Sequence, residues 1–193
     1  MYQPFEIATA FRIIPPGEPA STDGRIDLIM QRGAFGSGEH ETTVSCLECL
    51  AGMSGIKQAR VLDLGSGTGI LAIAALKLGA AHAVCVDIEA QAVETARLNC
   101  RLNDLDEQVT HITGTLDKVE ESRFDVILAN IYGDILLDLA PALAAKLKPG
   151  GTLLLSGILW EDNFAVRQAF AGRGCTVVRN RMLAEFSTLL VQK

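Results

Sequence analysis

The chain has 193 residues, 49% of them hydrophobic, with a net charge of −6 and a pI of about 5.1. That length suits one domain with a substantial core, and the hydrophobic content excludes a disordered chain. The acidic balance disfavours direct nucleic-acid binding, and no apolar run approaches the ~18 residues of a membrane span. Met1-Tyr2-Gln3-Pro4-Phe5-Glu6 lacks the basic and apolar regions of a signal peptide, so a cytoplasmic protein is expected. In residues 1–35, Pro15-Pro16-Gly17-Glu18-Pro19 separates two short extended runs, which reads as a leading hairpin or linker-like segment before the main domain at 36–193.

Gly33 to Thr43 is a glycine-rich loop with polar groups ahead of an amphipathic helix expected over Thr42–Met53. Such a loop could fold over a ligand, or be an ordinary loop closed by a threonine cap. Cys46 and Cys49 form a single C-x-x-C with no partner pair to complete a zinc site, and both fall on one side of that helix, so core packing is expected and no metal. An odd cysteine count fits reduced thiols.

Val61 to Ile70 reads V-L-D-L-G-S-G-T-G-I. A buried strand ends at Leu64, Gly65, Gly67 and Gly69 turn the chain, and an apolar helix over Ile70–Leu78 follows. Glycines let backbone approach a ligand, and a helix start presents unpaired N–H groups. The spacing is G-x-G-x-G, not the G-x-G-x-x-G of dinucleotide dehydrogenases. Asp63, two residues before Gly65, would repel a pyrophosphate and suits a ligand with a positive end. S-adenosylmethionine, with its ammonium and sulfonium groups, is such a ligand.

A second strand, Ala83–Val86, ends at Asp87, 22 residues after Gly65. An acid about 20 residues past such a turn accepts hydrogen bonds from ribose hydroxyls, although Asp87 could instead cap the helix expected over Ala90–Leu102. Strands then follow at Val109–Thr113, Asp125–Ala129, Thr152–Ser156, Thr176–Arg179 and Ser187–Val191, with helices at Asp134–Leu147 and Glu161–Ala171. Lys148-Pro149-Gly150-Gly151 is expected to end a helix and turn into the fifth strand. The alternation predicts a Rossmann-like, doubly wound α/β sheet of seven strands, mostly parallel. The last two strands are too close in sequence for a crossover helix, so the final one should run antiparallel. Asn130, after the fourth strand, would then face the glycine turn across the cleft, or cap the helix near Asp134.

From about Phe11 onward the chain resembles the PrmA family of bacterial methyltransferases, which modify a large-subunit ribosomal protein. The resemblance lies in A-F-G-S-G-E-H-E-T-T, in Val61–Ile70 with its continuation L-A-I-A-A-L-K-L-G-A-A, and in Val86-Asp87-Ile88. It continues in Ala129-Asn130-Ile131 and Ser156-Gly157-Ile158-Leu159. It implies a class I methyltransferase fold binding S-adenosylmethionine, with Thr43, Gly65, Asp87 and Asn130 as cofactor contacts. The residues themselves add Asp63, Gly67 and Ile88 as expected cofactor contacts, and by the resemblance Phe35 and His40 fall in the family's cofactor-covering loop. The sequence departs from the family in Glu39 and Glu41, where T-H-P-T-T is usual, and in Tyr132-Gly133-Asp134 after the Asn130-Ile131 pair. Family members also carry a separate N-terminal substrate domain, so the ribosomal substrate does not follow from the resemblance.

The expected activity is S-adenosylmethionine-dependent N-methylation of an amine, on a protein lysine or a small molecule, with Asn130 aligning the nitrogen and His40 accepting its proton. The alternatives are a non-catalytic S-adenosylmethionine-binding protein and a nicotinamide oxidoreductase. The acceptor and the oligomeric state are not legible.

Overall fold

The computed structural model describes residues 2–31 and 38–193. The strands of the main sheet run β4 (Arg60–Leu64), β5 (His82–Asp87), β6 (Val109–Thr113), β7 (Phe124–Asn130), β8 (Leu147–Leu159), β9 (Thr176–Met182) and β10 (Phe186–Gln192). Their spatial order is β6-β5-β4-β7-β8-β10-β9. β4 to β8 pair in parallel, while β10 lies antiparallel between β8 and β9. The expected seven-stranded, doubly wound sheet with an antiparallel last strand is therefore present.

Helices cover both faces. Below one face lie α1 (Glu41–Ala51), α2 (Ile70–Lys77) and α3 (Ala90–Leu102); their cluster holds Leu47, Leu50, Ile73, Ala74 and Cys100 against Val61, Cys85 and Leu128. On the other face α4 (Gly133–Lys146) and α5 (Trp160–Ala171) set Leu136, Leu143, Val166 and Phe170 against Leu62, Val84, Ile127 and Leu155. Alternate residues of β4 thus enter opposite clusters, as strand geometry requires. Cys46 and Cys49 are both buried in the first cluster, and burial pushes both thiols up in pKa. Among the described residues no helix is long and apolar enough to cross a membrane.

Two local expectations change. The segment before α1 holds three strands, β1 (Phe5–Ile7), β2 (Phe11–Ile14) and β3 (Ile26–Ile29), in a separate sheet. β1 and β2 are antiparallel, but β2 and β3 are parallel, so the Pro15–Pro19 stretch lies in a crossover and not in a hairpin turn. Lys148-Pro149-Gly150-Gly151 also lies inside β8, which starts at Leu147 directly after α4. There the Gly150 amide donates to the Lys193 carbonyl at 2.7 Å and the Lys193 amide to the Gly151 carbonyl at 3.0 Å, so the chain end replaces the expected turn.

The three-stranded sheet is held by α3. Asn103 Oδ1 accepts from the Ile29 amide at 3.1 Å and its Nδ2 donates to the Ile29 carbonyl at 2.7 Å. Asn99 Oδ1 accepts from the Gln31 amide at 2.7 Å. Two carboxamides four residues apart therefore imitate a neighbouring strand along the edge of β3 and its continuation.

Candidate functional site

The order of strands places the site. From β4 the chain winds outward through β5 and β6, then returns to β7 on the other side of β4, leaving a crevice beyond the carboxyl ends of β4 and β7. Leu64 is in register with Val86 on one side and Ala129 on the other. Asp87 and Asn130 each stand one residue further, so they flank Gly65 at one level.

The turn after β4 has positive φ at Gly65 (+69°), Gly67 (+52°) and Gly69 (+79°). A Cβ on Gly65 would lie 2.5 Å from Ile131 Cγ2, and one on Gly69 would lie 3.1 Å from Ala96 Cβ in α3. A Cβ on Gly67 would meet nothing within 4 Å. Gly65 and Gly69 serve packing, whereas a side chain at Gly67 would enter open space.

Asp87 joins this turn to the next helix. Its Oδ2 accepts from the Gly67 amide at 2.8 Å and its Oδ1 from the Glu89 amide at 3.0 Å. Asp87 thus caps the approach to α3, as one reading of it expected, and also braces the glycine turn while remaining half-exposed. Ile88 beside it is 70% exposed, an apolar side chain left at the rim of the crevice.

Asp63 sits elsewhere than its sequence position suggests. It is 1% exposed, and its Oδ2 accepts from the Ala72 amide at 3.1 Å, under the first turn of α2. Burial, reinforced by Asp87, pushes its carboxyl up to about 7. It supports the turn from behind and offers no face to the crevice.

Asn130 is half-buried, and its Nδ2 donates to Thr43 Oγ1 at 3.4 Å. The N-cap position of α4 is Tyr132, and Asp134 Oδ1 accepts from the Ile135 amide, so Asn130 is not a helix cap. The cap of α1 is His40 instead of a threonine: its Nδ1 lies 2.8 Å from Thr42 Oγ1 and accepts from the Thr42 amide at 3.4 Å. The His40 ring meets Phe186 edge-on, with centroids 5.4 Å apart. Phe35 lies outside the described residues. Glu41 is committed to structure; its two carboxylate oxygens accept from the Ala184 and Glu185 amides at 3.0 and 3.1 Å, anchoring α1 to the turn between β9 and β10.

The structure thus gathers Gly65, Gly67, Asp87, Ile88, Asn130 and Thr43 around one crevice, with His40 three residues before Thr43 in the chain and Asp63 beneath. The sequence reading missed Asn99. Fully buried, it donates from Nδ2 to the Thr68 carbonyl at 2.9 Å while accepting from Gln31, so it links the glycine turn to the strand edge before α1. Its signal was present: Val93, Ala96, Asn99 and Asn103 follow helical spacing onto the buried face of α3.

A backbone cradle open at Gly67, a carboxylate one strand over and a carboxamide across the cleft fit an adenosyl cofactor with a cationic end. Known proteins agree. The family model for ribosomal protein L11 methyltransferase (PrmA) matches residues 1–193. A protein named ribosomal protein L11 methyltransferase from Pelobacter propionicus is 43% identical over 198 residues, covering 100% of this chain and 64% of that protein. One of the same name from Trichlorobacter lovleyi is 42% identical over 176 residues, covering 88% of this chain and 57% of its own length. The chain thus spans about three-fifths of these curated relatives. The crystal structure of a ribosomal protein L11 methylase from Lactobacillus delbrueckii subsp. bulgaricus superposes with a TM-score of 0.84 at 28% identity, covering 98% of this chain and 97% of that one. With a family-model match along its whole length and relatives 42% and 43% identical, the chain belongs to the ribosomal protein L11 methyltransferase (PrmA) family.

Proposed function

We propose that this chain transfers the methyl group of S-adenosylmethionine to an amine nitrogen, on a protein acceptor. The observation that carries the reading is the alignment of Asp87 and Asn130 on either side of Gly65, with Gly67 open between them. Asp87 would hold the ribose hydroxyls, Gly65 and Gly67 would admit the cofactor to the backbone, and Ile88 would lie against the adenine. The relatives' printed name, a ribosomal protein methyltransferase, supports a protein acceptor.

When bound, the cofactor supplies a methyl group already activated by its sulfonium, so this chain's task is positioning and exclusion of water. An amine attacks only with its lone pair free. A lysine with pKa near ~10.4 must shed its proton, and a low-dielectric crevice favours the neutral form. Asn130, its Nδ2 directed at Thr43, presents the carboxamide oxygen to accept an N–H of the amine and orient the lone pair. To accept the amine proton, His40 would release the Thr42 amide from Nδ1, because the neutral ring that caps α1 carries its own proton on Nε2. The five cysteines are all free and buried, which suits a reducing, cytoplasmic setting.

The test is methyl transfer from labelled S-adenosylmethionine to purified ribosomal protein L11, with product analysis for the modified atom. Label on an amine nitrogen is expected. Tight S-adenosylmethionine binding with no transfer would favour a non-catalytic binding protein, and NADH binding in its place would favour an oxidoreductase.

A further inference from the structure

Beyond Asn130 three aromatic side chains at the starts of two neighbouring helices are left largely exposed. Tyr132, ahead of α4, is 67% exposed, and Trp160 and Phe164, one turn apart at the start of α5, are 54% and 64% exposed. The two helix starts touch, because a Cβ on Gly133 would lie 2.8 Å from the Asp162 side chain. Trp160 Nε1 donates to the Phe186 carbonyl at 3.1 Å, and Phe186 meets His40. The surface therefore runs from the cap of α1, past the first residue of β10, to the starts of α5 and α4.

Carboxylates interleave with these rings. Asp134 and Asp138 lie in the first two turns of α4, and Glu161 and Asp162 open α5. The one cation in those turns, Arg167, stacks over Phe164 and donates to Asn163 Oδ1. Acids at helix starts answer the helix dipole. Three exposed aromatic residues beside them do not, and clustered exposed apolar surface marks an interaction site.

We propose that this face docks the segment carrying the acceptor amine, and that the segment is a basic, lysine-bearing stretch of polypeptide. The proposal rests on the amine-methylation reading above. Aromatic faces attract ammonium groups, carboxylates pair with them, and a chain of net charge −6 draws a basic partner from a distance. The location fits as well, since exposed Tyr132 stands only two residues beyond Asn130.

The test uses the 193-residue chain, ribosomal protein L11 as probe, and the variants Tyr132→Ala/Phe164→Ala and Asp134→Lys/Glu161→Lys. Each pair should raise the KM for L11 about tenfold or more, far beyond any fall in kcat, with S-adenosylmethionine affinity unchanged by calorimetry. The charge-reversed pair should also lose the salt dependence of KM. Unchanged KM in both pairs overturns the proposal. So does methylation of free lysine as efficient as that of L11, or a variant effect on self-association with none on KM. If the unmodified chain transfers nothing to L11, the functional reading fails there, and Trp160, the chain's single tryptophan, decides the docking question. A saturable emission change on adding L11 that Tyr132→Ala/Phe164→Ala removes upholds the surface; no change overturns it.

Discussion

The Asp87 carboxylate accepts the Gly67 amide at 2.8 Å, so the side chain proposed to bind the ribose also holds the turn proposed to cradle the rest of the cofactor. Its other oxygen takes the Glu89 amide. Asp87→Ala should therefore weaken S-adenosylmethionine by about 1.5–3 kcal/mol for the lost charge-assisted bond, with some further loss from a looser turn. Calorimetry on folded protein measures it; unaltered affinity would remove Asp87 from the site.

Gly67 and Gly69 should respond oppositely to the same substitution. Gly67→Val places its side chain in open space, at a strain cost of about 1–2 kcal/mol for the left-handed backbone, and should abolish cofactor binding while the fold survives. Gly69→Val adds a clash with Ala96 of α3 to similar strain and should cost far more in melting temperature. Thermal melts and binding isotherms on both variants separate packing glycines from a cofactor-facing one.

Asp63 gives the protein a pH dependence of definite sign. Its folded pKa, about 7, lies above the ordinary value of 3.8. Below pH 3.8 both folded and unfolded states hold the proton, and the contribution to stability is complete. Between about pH 4 and 7 the unfolded chain ionises while native Asp63 stays protonated, so stability falls as pH rises and levels off above 7. The drop should be on the order of a few kcal/mol. Asp63→Asn, which keeps an acceptor for the Ala72 amide, should flatten the profile, and denaturant melts at successive pH values would show it. A drop undiminished in the variant would assign it to other groups.

Asn99→Leu leaves the Gln31 amide and the Thr68 carbonyl without their partner in a buried setting. Each such group costs about 1–3 kcal/mol, so destabilisation of several kcal/mol is expected. Hydrogen exchange should accelerate at residues 26–31 and across the glycine turn together, because one side chain holds both. Acceleration confined to one of the two would show that Asn99 does not couple them.

His40→Ala should lower kcat if the imidazole accepts the amine proton. Part of any change will come from the lost cap of α1, so His40→Asn, which restores a capping side chain, is the control. Full activity in His40→Asn would leave the ring with a capping role alone.

The local chemistry of this protein is written in short runs of sequence. Val61–Ile70 specifies a strand, a glycine turn and a helix because each depends on neighbouring residues, and the spacing to Asp87 marks it as the proposed ribose acid. The alternation of strands and helices likewise determines a doubly wound sheet. The decisions left to tertiary structure concern partners distant in the chain. Asp63 and Asp87 look equivalent as acids at strand ends, yet one is sealed under α2 and the other reaches the Gly67 amide, a difference set by the packing of a helix on the sheet. Lys148-Pro149-Gly150-Gly151 carries local turn chemistry, but the chain end at Lys193 supplies the hydrogen bonds that keep it in a strand. The Asn99 and Asn103 carboxamides, ordinary on a helix, became a surrogate strand only when β3 arrived beside them, because a buried backbone edge takes whichever polar partner the fold brings within reach.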